Sequence, residues 1–325
     1  MTVAPPPDDD RRHVPVLLDR IVELVAPAVQ HPGAVMVDAT LGIAGHTRGV
    51  LEACPEVRVI GIDRDPAALD AARRRLGPLA ERVTFVHAVY DQLTAALGDL
   101  GLSVVDALLF DLGVSSMQLD QRERGFSYAS DAPLDMRMDP TTGRTAADLL
   151  AEADADEIAR ILREYGEERF ARRIANAVVQ RRQSAPVATS AQLVEVIRES
   201  IPAAARRTGG HPAKRTFQAL RIEVNQELPV LRRALPQAVG ATAVGGRLLV
   251  MSYHSLEDRM VKHELARHSA RPELPPGLPV VPEHLEPKLR LLTRGAEKAT
   301  AAEIDTNPRA RSVRLRAAER VRQEA

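Results

Sequence analysis

What this chain of 325 residues lacks narrows its biology first. A single cysteine, Cys54, excludes an intrachain disulfide. Lysine plus arginine and aspartate plus glutamate both total 44, so the uniformly basic surface of a protein that coats nucleic acid with its whole body is excluded. Any site for a polyanion is therefore local. No stretch approaches the roughly 18 consecutive apolar residues that a membrane span needs. The start lacks the basic end and apolar run of a secretory signal. These absences predict a soluble cytoplasmic protein without membrane contact. Pro5-Pro6-Pro7-Asp8-Asp9-Asp10 cannot bury apolar surface, so residues 1–12 read as a disordered tail.

What the chain does contain, through its first third, is a series of short β-branched apolar runs, each followed by a helical pattern. That is the signature of parallel βαβ units. Strands are predicted at Ala34–Asp38, Val57–Asp63, Val83–His87 and Val105–Asp111. Asp65 followed by Pro66 marks the helix after the second strand, an N-cap and a first-turn proline. Arg144 to Ser200 is instead helical in period, rich in Ala, Arg and Glu, with capping-box pairs at Asp154/Glu157 and Thr189/Gln192. A break at Thr208-Gly209-Gly210-His211-Pro212 ends it. One long helix is predicted from Arg215 to about Ala238, and Gly245–Met251 restarts the sheet. Prolines between Arg271 and Pro287 predict an extended surface loop, and Ser312–Arg316 a last strand. The expected architecture is α/β, a Rossmann-like doubly wound sheet with an inserted all-helical domain: sheet domain at 13–140 and 212–325, insert at 141–211.

Asp38 to His46, with Gly42 and Gly45, lies where the first strand ends and its helix begins, the place where open α/β sheets bind ligands. Asp63 closes the second strand about 20 residues on, where a carboxylate accepts from both hydroxyls of a ribose. The G-x-G-x-x-G spacing of nicotinamide sites is absent. An acid, Asp38, precedes the turn instead, and it suits the ammonium and sulfonium charges of S-adenosylmethionine better than a pyrophosphate. Tyr90, just past the third strand, is placed to lie against an adenine, the plainer reading being an ordinary tyrosine at the edge of the core. Asp111, at the rim of the sheet, is hard to explain as packing, because buried acids need partners. His263-Glu264 with His268 spaces its histidines by five, which points them apart on a helix; no metal site is expected, and they read as solvated.

Asp111–Asp120, Arg124-Gly125-Phe126-Ser127, Pro133–Asp139, Arg215–Leu228, Ser252–Arg259 and Asn307–Ser312 resemble the RsmH (MraW) family, over His13 to near Arg320. The resemblance implies a class I methyltransferase fold with a helical insert, methylating N4 of a cytidine in the decoding region of 16S rRNA, nucleotide 1402, and so tuning the ribosomal P site. It places cofactor contacts on Ala44, Gly45, His46, Asp63, Tyr90, Asp111 and Gln118. Ala44 departs from the family's usual glycine, a methyl that narrows the loop's conformations without excluding binding.

Methyl transfer from a sulfonium is an in-line displacement, so positioning the acceptor nitrogen is most of the catalysis. Asp111, or a carbonyl near it, is the candidate acceptor for the amino N–H bonds. Tyr253, His254 and Ser255 emerge at the same rim as a base-holding loop, Tyr253 stacking on an extruded cytosine; the plainer reading is a histidine that caps a helix. Thr306–Arg322 carries six arginines against one acid, and Arg206–Arg221 five basic residues and no acid. Such clusters bind phosphate. Arg309, Arg311 and Arg314, with Arg137, are the expected RNA contacts. The resemblance implies 16S rRNA as the partner, within the 30S subunit or as free RNA, and a homodimer is compatible with the sequence. Two rivals stand: a non-catalytic ribosome assembly factor, which need not bind the cofactor, and a DNA amino-methyltransferase. The latter should carry a D/N/S-P-P-Y/F/W turn where this chain has Asp111-Leu112-Gly113-Val114.

Overall fold

The structure is a computed structural model that describes residues 14–206, 211–270 and 286–322. The expected tail at 1–12, the glycines of the 208–212 break and nearly all of the proline-dense 271–287 segment lie outside the described residues. The chain divides into two compact units, Met1–Gly113 with Val230–Ala325, and Val114–Pro229.

The chain opens with α1 (Leu18–Val29), β1 (Val35–Asp38), α2 (Gly45–Ala53), β2 (Arg58–Asp63), α3 (Pro66–Leu76), β3 (Val83–His87), α4 (Leu93–Asp99) and β4 (Val105–Asp111). Seven helices follow: α5 (Ser116–Asp120), α6 (Ala146–Glu152), α7 (Ala155–Gly166), α8 (Ala171–Arg182), α9 (Ser190–Ser200), α10 (Ala203–Arg206) and α11 (Lys214–Asn225). The remainder comprises α12 (Glu227–Ala241), β5 (Thr242–Ser252), α13 (Ser255–Ser269), β6 (Leu289–Leu291), α14 (Ala301–Thr306) and β7 (Arg314–Arg320). The four expected strands form, the first two starting one residue late. The last strand lies later than Ser312–Arg316, because Pro308–Ser312 coils into a short 3-10 turn.

The seven strands make one sheet in the order β3-β2-β1-β4-β5-β7-β6. β1 to β5 run parallel, and β7 is antiparallel to both its neighbours. Successive strand residues face opposite sides. Met36, Val59, Ala107, Leu109 and Met251 enter a core with α1, α2 and α3. Val37, Ile60, Leu108, Phe110 and Val250 enter another with α4, α12 and α13. Burial on both faces explains why these strands read as continuous apolar runs. It also fixes the edge where the site must lie: the chain leaves β1 and β4 in opposite directions along the sheet, and ligands bind at such a switch point, beyond the carboxyl ends of the strands.

The helical unit has its own core, with Leu149, Ile161, Leu162, Ile174 and Leu193 at its centre. Thr189 and Gln192 form the full capping box; Asp154 accepts from the N–H groups of Asp156 and Glu157, but Glu157 does not reciprocate. The unit boundaries differ from the expected 141–211. Phe126, Leu134, Met136 and Met138 are buried in this core, as are Phe217 and Leu220 of α11, so motif segments on both flanks belong to the helical unit. The helix expected from Arg215 to Ala238 is two helices, with Gln226 between them at φ 52°. Pro229 gives the reason: in one continuous helix its ring would clash with the carbonyl of Asn225, whereas in the first turn of α12 no N–H is needed.

Candidate active site

Three carboxylates end the central strands of the sheet unit. Asp38 closes β1, Asp63 closes β2 and Asp111 closes β4. Asp38 is buried; its Oδ2 accepts from Thr47 Oγ1 at 2.7 Å, and its Oδ1 from the Thr40 N–H at 3.3 Å. Asp63 holds the loop between β1 and α2, accepting from the Gly42 N–H at 2.7 Å, and accepts from the Asp65 N–H at 2.8 Å. Asp111 accepts from the Tyr253 hydroxyl at 2.7 Å, and its Oδ2 lies 3.6 Å from His46 Nδ1. Burial pushes all three carboxyls up, Asp63 to about 6. Among the described residues no lysine or arginine pairs with any of them. Half-buried Asp63 and Asp111, the latter with His46 as its basic neighbour, keep lone pairs for donors from outside the chain.

The loop between β1 and α2 presents the backbone that a ligand would meet. Ala44 is its N-cap, fully buried and left-handed at φ 60° and ψ 33°. Alanine thus adopts the conformation for which glycine is favoured, at a strain of roughly 1–2 kcal/mol. At Gly45 a Cβ would stand 2.6 Å from Pro15 Cγ, so a side chain there would push the Val14–Leu17 segment away. His46 is buried, and its Nε2 donates to the Val16 carbonyl at 2.8 Å.

With this geometry in place, the sequence matches the MraW methylase family over residues 10–321. The chain belongs to that family. It is 63% identical over 311 residues to the ribosomal RNA small subunit methyltransferase H of Parafrankia sp. (strain EAN1pec), covering 96% of this chain and 95% of that protein. With the protein of the same name from Nocardioides sp. (strain ATCC BAA-499 / JS614), identity is 64% over 308 residues, 95% and 96% of the two chains. With that of Streptomyces avermitilis it is 58% over 314 residues, 97% and 98%. The enzyme is a methyltransferase and its cofactor is S-adenosylmethionine. The residues present fit that group: Asp63 retains lone pairs for ribose hydroxyls, and buried Asp38 and half-buried Asp111 have no lysine or arginine partner among the described residues, a place that a sulfonium and an ammonium would fill.

The structure sorts the remaining expectations. Tyr90 is half-buried after β3 and meets Phe110 edge-on, with centroids 5.6 Å apart. Tyr253 lies at the end of β5, but its hydroxyl is committed to Asp111, and burial with that acid raises it well above its ordinary pKa. His254 is the N-cap of α13, as in the plainer reading: its Nδ1 accepts from the Glu257 N–H at 3.4 Å. Its Nε2 lies 3.1 Å from Glu257 Oε1 without the alignment of a hydrogen bond. Ser255 is exposed in the first turn of that helix. Glu257 was missed by sequence reasoning. It is buried, and its Oε2 accepts from the N–H groups of both Tyr253 and His254, fixing the turn that presents them. The signal was the capping-box spacing of His254 and Glu257, obscured because histidine is an uncommon N-cap.

Gln118 and Arg137 belong to the helical unit. Gln118 is buried and completes a capping box with Ser115, its amide reaching the Met138 carbonyl at 3.4 Å. Arg137 forks onto Asp135, at 2.9 and 2.8 Å, which absorbs much of its charge. The basic clusters shrink likewise. Arg316 is paired with Asp258, and buried Arg320 donates to the Val239 and Gly240 carbonyls. Arg221 is paired with Glu227, and Arg215 donates to the Glu167 carbonyl. Arg309 and Arg311 are exposed and Arg314 is half-buried. His268 is not solvated as expected, its Nε2 lying 3.1 Å from Glu264 Oε1. No helix among the described residues is long and apolar enough to cross a membrane.

Proposed function

We propose that the enzyme transfers a methyl group from S-adenosylmethionine to N4 of a cytidine in the decoding region of 16S rRNA, within the 30S subunit. The names of its relatives support a small-subunit ribosomal RNA as the substrate. One observation carries the chemistry: Asp111 is a half-buried carboxylate at the end of β4, held at one oxygen by Tyr253, with the His46 ring 3.6 Å from the other and no lysine or arginine paired to it among the described residues. Such an acceptor can hold an amino N–H and turn the nitrogen lone pair toward a methyl group. Ala44, Gly45, His46, Asp63, Tyr90, Asp111 and Gln118 are the proposed cofactor contacts. Asp63 takes the ribose and Tyr90 lies against the adenine. Tyr253, His254, Ser255 and Arg137 take the base and its neighbours, while Arg309, Arg311 and Arg314 take phosphates.

The test is incubation with methyl-labelled cofactor and, separately, free 16S rRNA, 30S subunits and DNA, followed by nucleoside mapping. Label in N4-methylcytidine from 30S subunits is the expected result. Label in another nucleoside, or in DNA alone, would overturn the reading.

A further inference from the structure

The proton released by methylation has no assigned destination, and the geometry points to the His46–Asp111 pair. The Val16 carbonyl can only accept, so the 2.8 Å contact fixes the proton of the neutral ring on Nε2. Nδ1 is then a bare lone pair, and what it faces, 3.6 Å away, is Asp111 Oδ2. Two acceptors facing each other at that distance, the ring buried and the carboxylate half-buried, form a slot that one proton would close into a hydrogen bond. The ring is anchored to hold this pose: Val16 precedes Leu17, whose N–H donates to Glu303 at 2.6 Å, and Pro15 packs on Gly45. The other oxygen of Asp111 is engaged by Tyr253, so the carboxylate cannot turn away from the ring without losing that bond. The titratable neighbours are Asp38 from β1, which feels His46, and Glu257 from α13, which acts on Asp111. Both are acids, so both favour a proton between the two groups.

We infer that His46 and Asp111 together receive the proton that leaves the acceptor nitrogen, with His46 Nδ1 as its final holder. The assignment rests on the proposed reaction. Attack by N4 forms the nitrogen–carbon bond as the carbon–sulfur bond breaks, its electron pair remaining on sulfur. The nitrogen becomes cationic, one N–H proton passes to Asp111 Oδ2, and from there it moves to Nδ1. The result is an imidazolium beside a carboxylate, and the pair resets by losing that proton to solvent. Asp111 is the catalytic residue; His46 acts through it.

His46→Gln separates this role from packing, because glutamine keeps an N–H for the Val16 carbonyl and has no titratable atom. At saturating cofactor, its single-turnover rate on 30S subunits should fall at least about tenfold at neutral pH, and the acidic limb of the pH–rate profile should move to higher pH, because Asp111 loses the neighbour that lowers its pKa. Melting temperature should stay near parental, and because the rate is read at saturating cofactor a change in cofactor affinity does not enter it. A parental rate with a parental pH profile overturns the inference. A second measurement holds even if that variant fails to fold. Nitrogen-15 NMR of the parent's histidines, without substrate, should show His46 as the Nε2–H tautomer, with an Nδ1 resonance that shifts in Asp111→Asn. An Nδ1–H tautomer, or an Nδ1 resonance indifferent to Asp111, overturns it. Absence of N4-methylcytidine from the parent's product overturns the reaction reading alone, since the NMR reads the pair without it.

Discussion

Two residues test the cofactor loop directly. Asp63 has a folded-state pKa raised from 3.8 to about 6, so the folded protein binds more protons there than the unfolded chain does. Its ionisation therefore lowers stability as pH rises through that window, the reverse of a salt-bridged acid. A ligand whose hydroxyls donate to the carboxylate favours the charged form. Cofactor affinity should accordingly strengthen between about pH 5 and 7 in the parent and lose that dependence in Asp63→Ala. The variant should also bind about 1.5–3 kcal/mol more weakly. Calorimetry across that pH range decides both, and an unchanged dissociation constant in a folded variant removes Asp63 from the site. Ala44 tests backbone strain. Ala44→Gly relieves the left-handed alanine but gives up a buried methyl, so stability should move by less than about 1 kcal/mol. Ala44→Val places a β-branched side chain at φ 60° and should cost more than about 2 kcal/mol in urea unfolding. Asp38, Asp63 and Asp111 were legible because each polar residue ends an apolar strand. The left-handed Ala44 was not, because a conformation that only glycine favours leaves no mark when alanine occupies it.

At the scale of elements, the turn between β5 and α13 carries the sharpest test. His254 caps α13, so His254→Ala should lose about 0.5–2 kcal/mol of stability. A base-holding role predicts in addition at least about a tenfold lower methylation rate at saturating cofactor, with cofactor affinity unchanged. His254→Asn decides between them. Asparagine restores the cap, so a restored rate together with restored stability makes the residue structural, while a rate that stays low keeps the cytosine at this loop. Arg320 of β7 offers a second test, since its guanidinium satisfies the last carbonyls of α12 from a neighbouring element. Arg320→Ala should cost about 2–3 kcal/mol in thermal or urea unfolding without altering RNA affinity. The caps at Asp65 and Thr189 could be read from spacing alone, because they are local contacts. The break before α12 could also have been read, since Pro229 forbids a continuous helix there. Arg320 could not, because its partners stand 81 and 80 residues away in sequence.

For the molecule as a whole, the prediction concerns charge. Replacing Arg309, Arg311 and Arg314 with alanine should lower RNA affinity and reduce the salt slope by up to about 2, at roughly 0.7 per phosphate on single strands. Cofactor affinity should not move. Equal salt slopes for variant and parent would show that these arginines contact no phosphate. The slope change should not approach that of six arginines, because Arg316 and Arg320 are internal. Net neutrality, read from composition, required any RNA surface to be local. Folding made it smaller still, by drawing basic side chains into pairs.

The sequence by itself determined the doubly wound sheet, the presence of a helical insert and the row of acids at the strand ends. Each is written in local periodicity, or in one polar residue closing an apolar run, and neither depends on distant partners. Tertiary structure decided where the helical unit begins and ends, since that follows from Leu134, Met136 and Phe217 sharing one core rather than from any change in composition. It decided which arginines remain available and which are absorbed by Asp258 or by the end of α12. It alone set His46 against Asp111, 65 residues apart in sequence, through a carbonyl of the Val14–Leu17 segment that carries no side-chain signature. Backbone acceptors and long-range pairs leave no local pattern, and for that reason the direction in which a proton can move became visible only in the folded chain.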